Sequence, residues 1–273
     1  GVEIEWLDRA KLAVMTGSDV YHGGIVDHRS ATISPLGYVR GLARAAKSQG
    51  ARLFTGSRVQ TLTREGSSWR ITCANGSVRA DKVILATDAY ADSLWPNLRE
   101  SFVPIFCFCY ATRPLSPEQR QRALPAGHAL YDTRPVMVFA RLDHDSRLIV
   151  GSLGGLPSKV GEATTWVARA TKRLFPALGP VEWEVGWSGT IGFTPDHLPR
   201  LHEPAPNMFI ALGYNGRGIA PGTYMGHYLA SRAMGRTDLA PPLPITPLKP
   251  LPFRGLRVLG YELAFRLPRL IPL

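Results

Sequence analysis

The 273 residues are 45% hydrophobic and 19% charged, enough chain for one large or two ordinary domains and for a core that needs no disulfide or metal staple. Lys and Arg outnumber Asp and Glu by 32 to 21, a formal charge of +11, yet the bases are dispersed and form no run of five or six like charges. That pattern reads as a solvated basic surface and argues against a dedicated nucleic-acid binder. The longest apolar run, residues 102–111, is ten long and carries Pro104, too short to cross a bilayer.

In chain order, Ser34 and Pro35 read as an N-cap followed by proline at the first helical position. Leu36, Val39, Leu42, Ala43 and Ala46 then recur at helical spacing until Gly50. Residues 51–55 and 58–62 read as strands, and residues 69–73 with the stretch after Asn75-Gly76 read as a hairpin. Residues 82–86 are a short continuous apolar run, as expected of a strand buried on both faces. Helix, strand, hairpin and buried strand describe a nucleotide-binding α/β layer. The middle differs: strand candidates at 103–112, 136–142, 148–152 and 181–187, with one helix over 162–175, predict an antiparallel or mixed sheet inserted between two parts of that layer. Residues 208–212 resume the buried-strand pattern, and a glycine-rich turn leads into a helix ending near Gly235. Six prolines in 240–252 predict an extended strap.

Cys73, Cys107 and Cys109 are an odd count with no metal-ligand spacing. Buried reduced thiols are expected, with Cys107 and Cys109 facing one side of a strand, which suggests a reducing, cytoplasmic setting. His197 and His202 near a Pro-rich turn read as packing or surface residues rather than a metal pair.

The most informative string is Ala211-Leu212-Gly213-Tyr214-Asn215-Gly216-Arg217-Gly218-Ile219-Ala220-Pro221-Gly222. A buried strand runs into a turn with three glycines and then a helix, whose free first amides favour an anionic group. The third glycine of the dinucleotide fingerprint is replaced by Pro221, and an ordinary strand–turn–helix corner would give much of the same string. Two further strings accompany it. One is Val83-Ile84-Leu85-Ala86-Thr87-Asp88-Ala89-Tyr90; the other runs through Gly186-Trp187-Ser188-Gly189-Thr190 to Phe193-Thr194-Pro195-Asp196-His197-Leu198-Pro199.

In this order, supported by Gly56-Ser57-Arg58-Val59, Asp132-Thr133-Arg134 and Pro252-Phe253, the chain from about residue 7 to 253 resembles the FAD-dependent oxidoreductases of the D-amino-acid oxidase superfamily. Within it the resemblance is to the amine-oxidising branch that includes glycine oxidase, sarcosine oxidase and gamma-glutamylputrescine oxidase. The resemblance implies an α/β (α+β) chain: an incomplete FAD-binding Rossmann-like domain (residues 34–100 and 188–239) with an inserted mixed or antiparallel-sheet substrate domain (101–187). A connecting segment at 1–33 precedes these parts, and a strap and tail at 240–273 follow them. It also implies non-covalent FAD. Val59 would meet the adenine through its backbone. Ala86 and Thr87 would line the ribose and pyrophosphate. Gly189 and the turn Gly213, Tyr214, Asn215, Gly216, Arg217 and Gly218 would lie beside the flavin ring. The reaction implied is hydride removal from the carbon next to an amine. Arg134, Arg141 and Arg217 are the candidates for holding a substrate carboxylate, and Tyr131 and Tyr214 for lining the amine pocket, although each residue type also serves as an ion pair or core packing.

Departures accompany the resemblance. Gly189 stands where sarcosine oxidases carry a flavin-linking cysteine, which excludes covalent attachment by that route; Ala220 stands where some relatives carry a lysine, and Asp88 where an Asn is expected. The family's opening Gly-x-Gly-x-x-Gly unit has no counterpart before Ser34, so an N-terminally incomplete chain with weak or no FAD binding is expected. The alternative is a non-catalytic remnant or binding module that keeps the inserted sheet as an interaction surface. Residues 249–273 hold five Lys/Arg and one Glu among many apolar residues. With Pro268 interrupting them, a strap packed on the body is expected, and peripheral attachment to anionic lipid is the alternative.

Overall fold

The computed structural model describes residues 3–134, 136–154 and 160–270, and the side chains of all of these but 160–164 and 266–270. Gly1 and the last three residues of the tail therefore lie outside the described residues, as do the first side chains of the helix expected over 162–175. The chain divides into two compact units, one built from Gly1–Gly41, Phe106–Gly189 and Tyr261–Leu273, the other from Leu42–Ile105 and Thr190–Gly260.

Glu5–Asp8 (β1) and Gly23–Val26 (β2) pair antiparallel around Arg9–Thr16 (α1), whose first turn is capped by the Asp8 carboxylate accepting from Lys11 N at 2.8 Å. The helix signalled by Ser34 is Pro35–Ser48 (α2). Ser34 Oγ accepts from Gly37 N at 3.3 Å, and the chain leaves the helix through Gly50 at φ 89°.

Val59–Glu65 (β3), Ser68–Cys73 (β4) and Gly76–Ala80 (β5) form an antiparallel meander. Cys73 pairs with Gly76, so the hairpin turns on Ala74-Asn75, one residue earlier than the sequence suggests. Residues 51–55 are not a strand. Leu53 and Phe54 are exposed, the Arg52 guanidinium lies 5.0 Å from the Phe54 ring centroid, and no described strand offers the segment a partner.

Val83–Leu85 (β6) follows. The next elements are Val103–Pro114 (β7), the single turn Pro117–Arg120 (α3), Leu130–Tyr131 (β8), Val138–Leu142 (β9), Arg147–Leu153 (β10), Val160–Leu174 (α4) and Trp183–Phe193 (β11). The inserted sheet has the order β11-β7-β10-β9-β8. One face carries Phe108, Tyr110, Val138, Ala140, Leu148 and Val150 into a core with Trp166, Val167 and Leu174 of α4. Phe108 meets Trp166 edge to face at 5.7 Å. Each of these large side chains stabilises the unit by about 1.5–3 kcal/mol through burial.

Arg200–Ala205 (β12), Met208–Leu212 (β13) and Ile219–Ala233 (α5) complete the second unit. β13 is buried along its whole length, pairing antiparallel with β12 and parallel with β6. Phe209 and Ala211 face Met225 and Leu229 of α5, while Met208, Ile210 and Leu212 face a cluster with Trp69, Leu98 and Phe102. The expectation that residues 82–86 are buried on both faces holds only for one side. Val83 and Leu85 are covered, but Ile84 is 40% exposed, because β6 ends the sheet.

The proline-rich strap is extended, bridging Leu201 at Ile245 and accepting His202 Nδ1 at Thr246 O, 2.8 Å. Beyond it the expected strap gives way to a helix, Arg254–Leu270 (α6). Pro268 lies in its last turn, where a missing donor and a lost bond leave the preceding turns intact.

Candidate functional site

In the second unit, the ends of the parallel neighbours β6 and β13 lie side by side, with Ile210 in register with Leu85. The carboxyl ends of adjacent parallel strands are where open α/β sheets hold ligands. Ala86 and Thr87 follow β6 directly and are exposed; Gly213 to Gly218 follow β13 and lead into α5. Thus Ala86, Thr87 and the whole glycine turn come together. Val59 opens β3 of the same unit, opposite Cys73 and next to an irregularity in the strand register. Gly189 lies in β11 at the end of the first unit, where its carbonyl accepts the Cys107 thiol at 3.6 Å.

The turn is held by Asn215 together with Asp88 and Thr194, to which the sequence pattern assigned no role. Asp88, at φ 42°, accepts the Gly213 N–H on Oδ1 at 2.7 Å. Asn215, at φ 54°, donates from Nδ2 to Gly213 O and to Thr194 Oγ1, and accepts Thr194 N on Oδ1 at 2.9 Å. Its own N–H goes to Gly192 O at 3.0 Å. Tyr90 Oη accepts from Thr190 N at 3.0 Å, tying the end of the β6 loop to β11. Gly213 has φ 75°, and a Cβ there would come within 2.5 Å of Thr194 Cγ2. The turn therefore offers bare backbone, fixed in place.

Gly218 begins α5 without a side-chain cap, and no acidic residue lies in the first turn. The helix start keeps its partial positive charge for whatever lies against it. Tyr214 is pushed up to about 12, first by burial and then by Asp88, so its phenol stays protonated. Arg217 is exposed, with no side-chain partner among the described residues. Exposed strand ends, a backbone-only cradle and an uncapped helix start fit a flat, anion-bearing group such as FAD.

In the first unit, the sheet face opposite the core is set by register. Tyr131 opposes Phe139; Phe139 and Cys109 both oppose Gly151; Arg141 and Ala111 both oppose Ile149. Tyr131, Phe139, Arg141, Cys107 and Cys109 therefore share one face. Gly151 is required there, since a Cβ would stand 2.3 Å from Phe139 Cζ. Burial pushes the Cys109 thiol up to about 12 against the opposing influence of Arg141, and burial raises Cys107 as well, so this face carries neutral thiols.

The two arginines predicted here differ in their commitments. Arg134 donates from Nε to Asp132 Oδ2 at 2.7 Å, and the buried Asp132 also accepts Val138 N at 3.1 Å. Its guanidinium neutralises a buried carboxylate that staples the β8–β9 connection. Arg141 has no hydrogen bond or ion pair among the described residues and keeps its fork free. Tyr131 is exposed on the same face. Of the two histidines, the His197 ring meets Phe193 edge to face at 5.6 Å and His202 is buried against the strap.

Residues 1–232 match the family model described as FAD dependent oxidoreductase. A probable oxidoreductase OrdL of Haemophilus influenzae is 30% identical over 232 residues, covering 84% of this chain and 53% of the relative. The gamma-glutamylputrescine oxidoreductase of Escherichia coli is 27% identical over 277 residues, covering 97% of this chain and 64% of the relative. The glycine oxidase structure from Geobacillus kaustophilus superposes with a TM-score of 0.76 at 22% identity, covering 91% of this chain and 67% of that one, a likeness of fold alone. The chain spans about half the length of the curated relatives it matches first, at 53% and 54%.

Proposed function

This chain belongs to the FAD-dependent oxidoreductase family, and on that premise we propose that it is part of an enzyme oxidising the C–N bond of an amine or amino acid. The observation that carries the proposal is the juxtaposed ends of β6 and β13, with the Gly213–Gly218 turn pinned by Asp88 and Asn215. The backbone of Ala86 and Thr87 holds the ribose and diphosphate side, Val59 the adenine side, and the glycine turn the ring. Bound FAD supplies the acceptor for a hydride leaving the carbon next to the substrate nitrogen. The first-turn amides of α5 present oriented positive charge without reorganisation, which favours negative charge developing beside them. Arg141, the unpaired cation among neutral thiols, holds a substrate carboxylate in a bidentate fork, and Tyr131 lines the amine side.

The test loads the protein with FAD and adds carboxylate-bearing and carboxylate-free amines without oxygen. Bleaching of the flavin by an amino acid is expected. Arg141→Met should raise the concentration needed for half-maximal bleaching by about 10- to 100-fold, the loss of a charge-assisted pair of about 1.5–3 kcal/mol, with carboxylate-free amines unaffected. Equal loss for both substrate classes would remove Arg141 from the role.

A second reading, a non-catalytic module that no longer holds FAD, is favoured by two observations. α2 buries none of its residues, and β6 has an unpaired edge among the described strands.

A further inference from the structure

The sequence marked residues 249–273 as basic and apolar, and the proposed oxidation uses none of them. Among the described side chains of α6, Phe265 is 7% exposed and stacks on Tyr261 at 6.0 Å, forming the inner face. Leu256, Leu259 and Leu263 are 68%, 55% and 48% exposed. At 100° per residue these three fall within an arc of about 60° on the side opposite Phe265. A helix on the surface of a soluble protein turns polar residues outward; this one turns leucines outward while Phe265 and Tyr261 face inward. Phe253, 77% exposed at φ 52°, extends the apolar stripe before the first turn.

Charge indicates what covers this stripe. Lys249, Arg254, Arg257, Arg266 and Arg269 stand against the single acid Glu262, on a chain of net charge +11. Arg254 donates from Nε to Phe102 O at 2.9 Å and Arg257 from Nε to Pro252 O at 3.1 Å, so both cations are fixed at the end of the helix where Phe253 is exposed. A second copy would bring two such basic tails together and repel. An anionic bilayer surface complements the leucines through its apolar boundary and the cations at the start of the helix through its charge. No helix among the described residues is long and apolar enough to cross a membrane, so α6 would lie on the surface.

We propose that the outer face of α6, with Phe253, Leu256, Leu259 and Leu263 as its apolar contacts, docks on anionic lipid. The test is co-sedimentation of the full chain with phosphatidylcholine vesicles and with phosphatidylcholine–phosphatidylglycerol vesicles across a salt series. The chain should pellet with the anionic vesicles and be released by salt. Leu259→Glu with Leu263→Glu should weaken partitioning about tenfold or more while leaving the melting temperature unchanged, since both positions are exposed. Should that pair disturb folding, Arg257→Glu tests the same surface through its charge and should also weaken partitioning. Failure to pellet with anionic vesicles, or equal pelleting of folded variants and the unaltered chain, overturns the proposal. So does a concentration-dependent dimer that the leucine substitutions abolish without changing vesicle binding.

Discussion

Asp88 links two strands 125 residues apart in sequence through one hydrogen bond to Gly213 N. Asp88→Ala would leave that part-buried N–H unpaired and place alanine at a positive φ. The expected loss is about 1–3 kcal/mol of unfolding free energy, with Asp88→Asn losing less because its amide oxygen still accepts. Gly213→Ala should cost a similar ~1–3 kcal/mol, since its φ and Thr194 Cγ2 both oppose a Cβ. Gly226→Ala in α5, where a Cβ meets nothing within 4 Å, should instead stabilise by about 0.5–1 kcal/mol. Urea midpoints for the set check the ordering, and equal values would dissolve the argument for a fixed turn. The glycine turn itself was legible because strand, glycines and helix are contiguous. Asp88 and Thr194 as its anchors were not, because bonds spanning 125 and 21 residues leave no local pattern. The division of labour between Arg134 and Arg141 was also hidden, since it depends on which guanidinium reaches the buried Asp132.

At the scale of elements, the local signals served well wherever one segment decides its own conformation. α2 begins at the Ser34-Pro35 cap, the β4–β5 hairpin lies one residue from its predicted turn, and the strap of 240–252 is extended. Residues 51–55 form no strand and Ile84 of β6 is exposed for a common reason: strand formation and two-sided burial depend on partners that composition does not reveal. The tail is helical where a strap is expected because Pro268 falls in the last helical turn. The strap has a pH-dependent hold on β12. His202 is 4% exposed, its Nδ1 meets Thr246 O, and its Nε2 has no partner among the described residues. Burial, the larger influence, holds it below the usual 6.5, with the Thr246 carbonyl opposing. The folded chain therefore favours neutral His202, and the unfolded chain takes up the proton first as pH falls. Stability contributed here is full above 6.5 and declines as pH drops below it. His202→Gln should flatten the melting temperature between about pH 7 and pH 5 relative to the unaltered chain. An identical slope in both would contradict this.

For the molecule as a whole, family membership was legible from the order of three strings, although each string alone was ambiguous. α2 buries none of its residues, and β6 has no second neighbour among the described strands. The central claim is narrower: the ends of β6 and β13 form the surface against which FAD lies. Amide hydrogen exchange of the chain with and without a large excess of FAD tests it most directly. The account predicts slowed exchange over residues 86–88 and 213–218 and no change over α4. Unchanged exchange at both strand ends, with protection appearing only elsewhere, would contradict it.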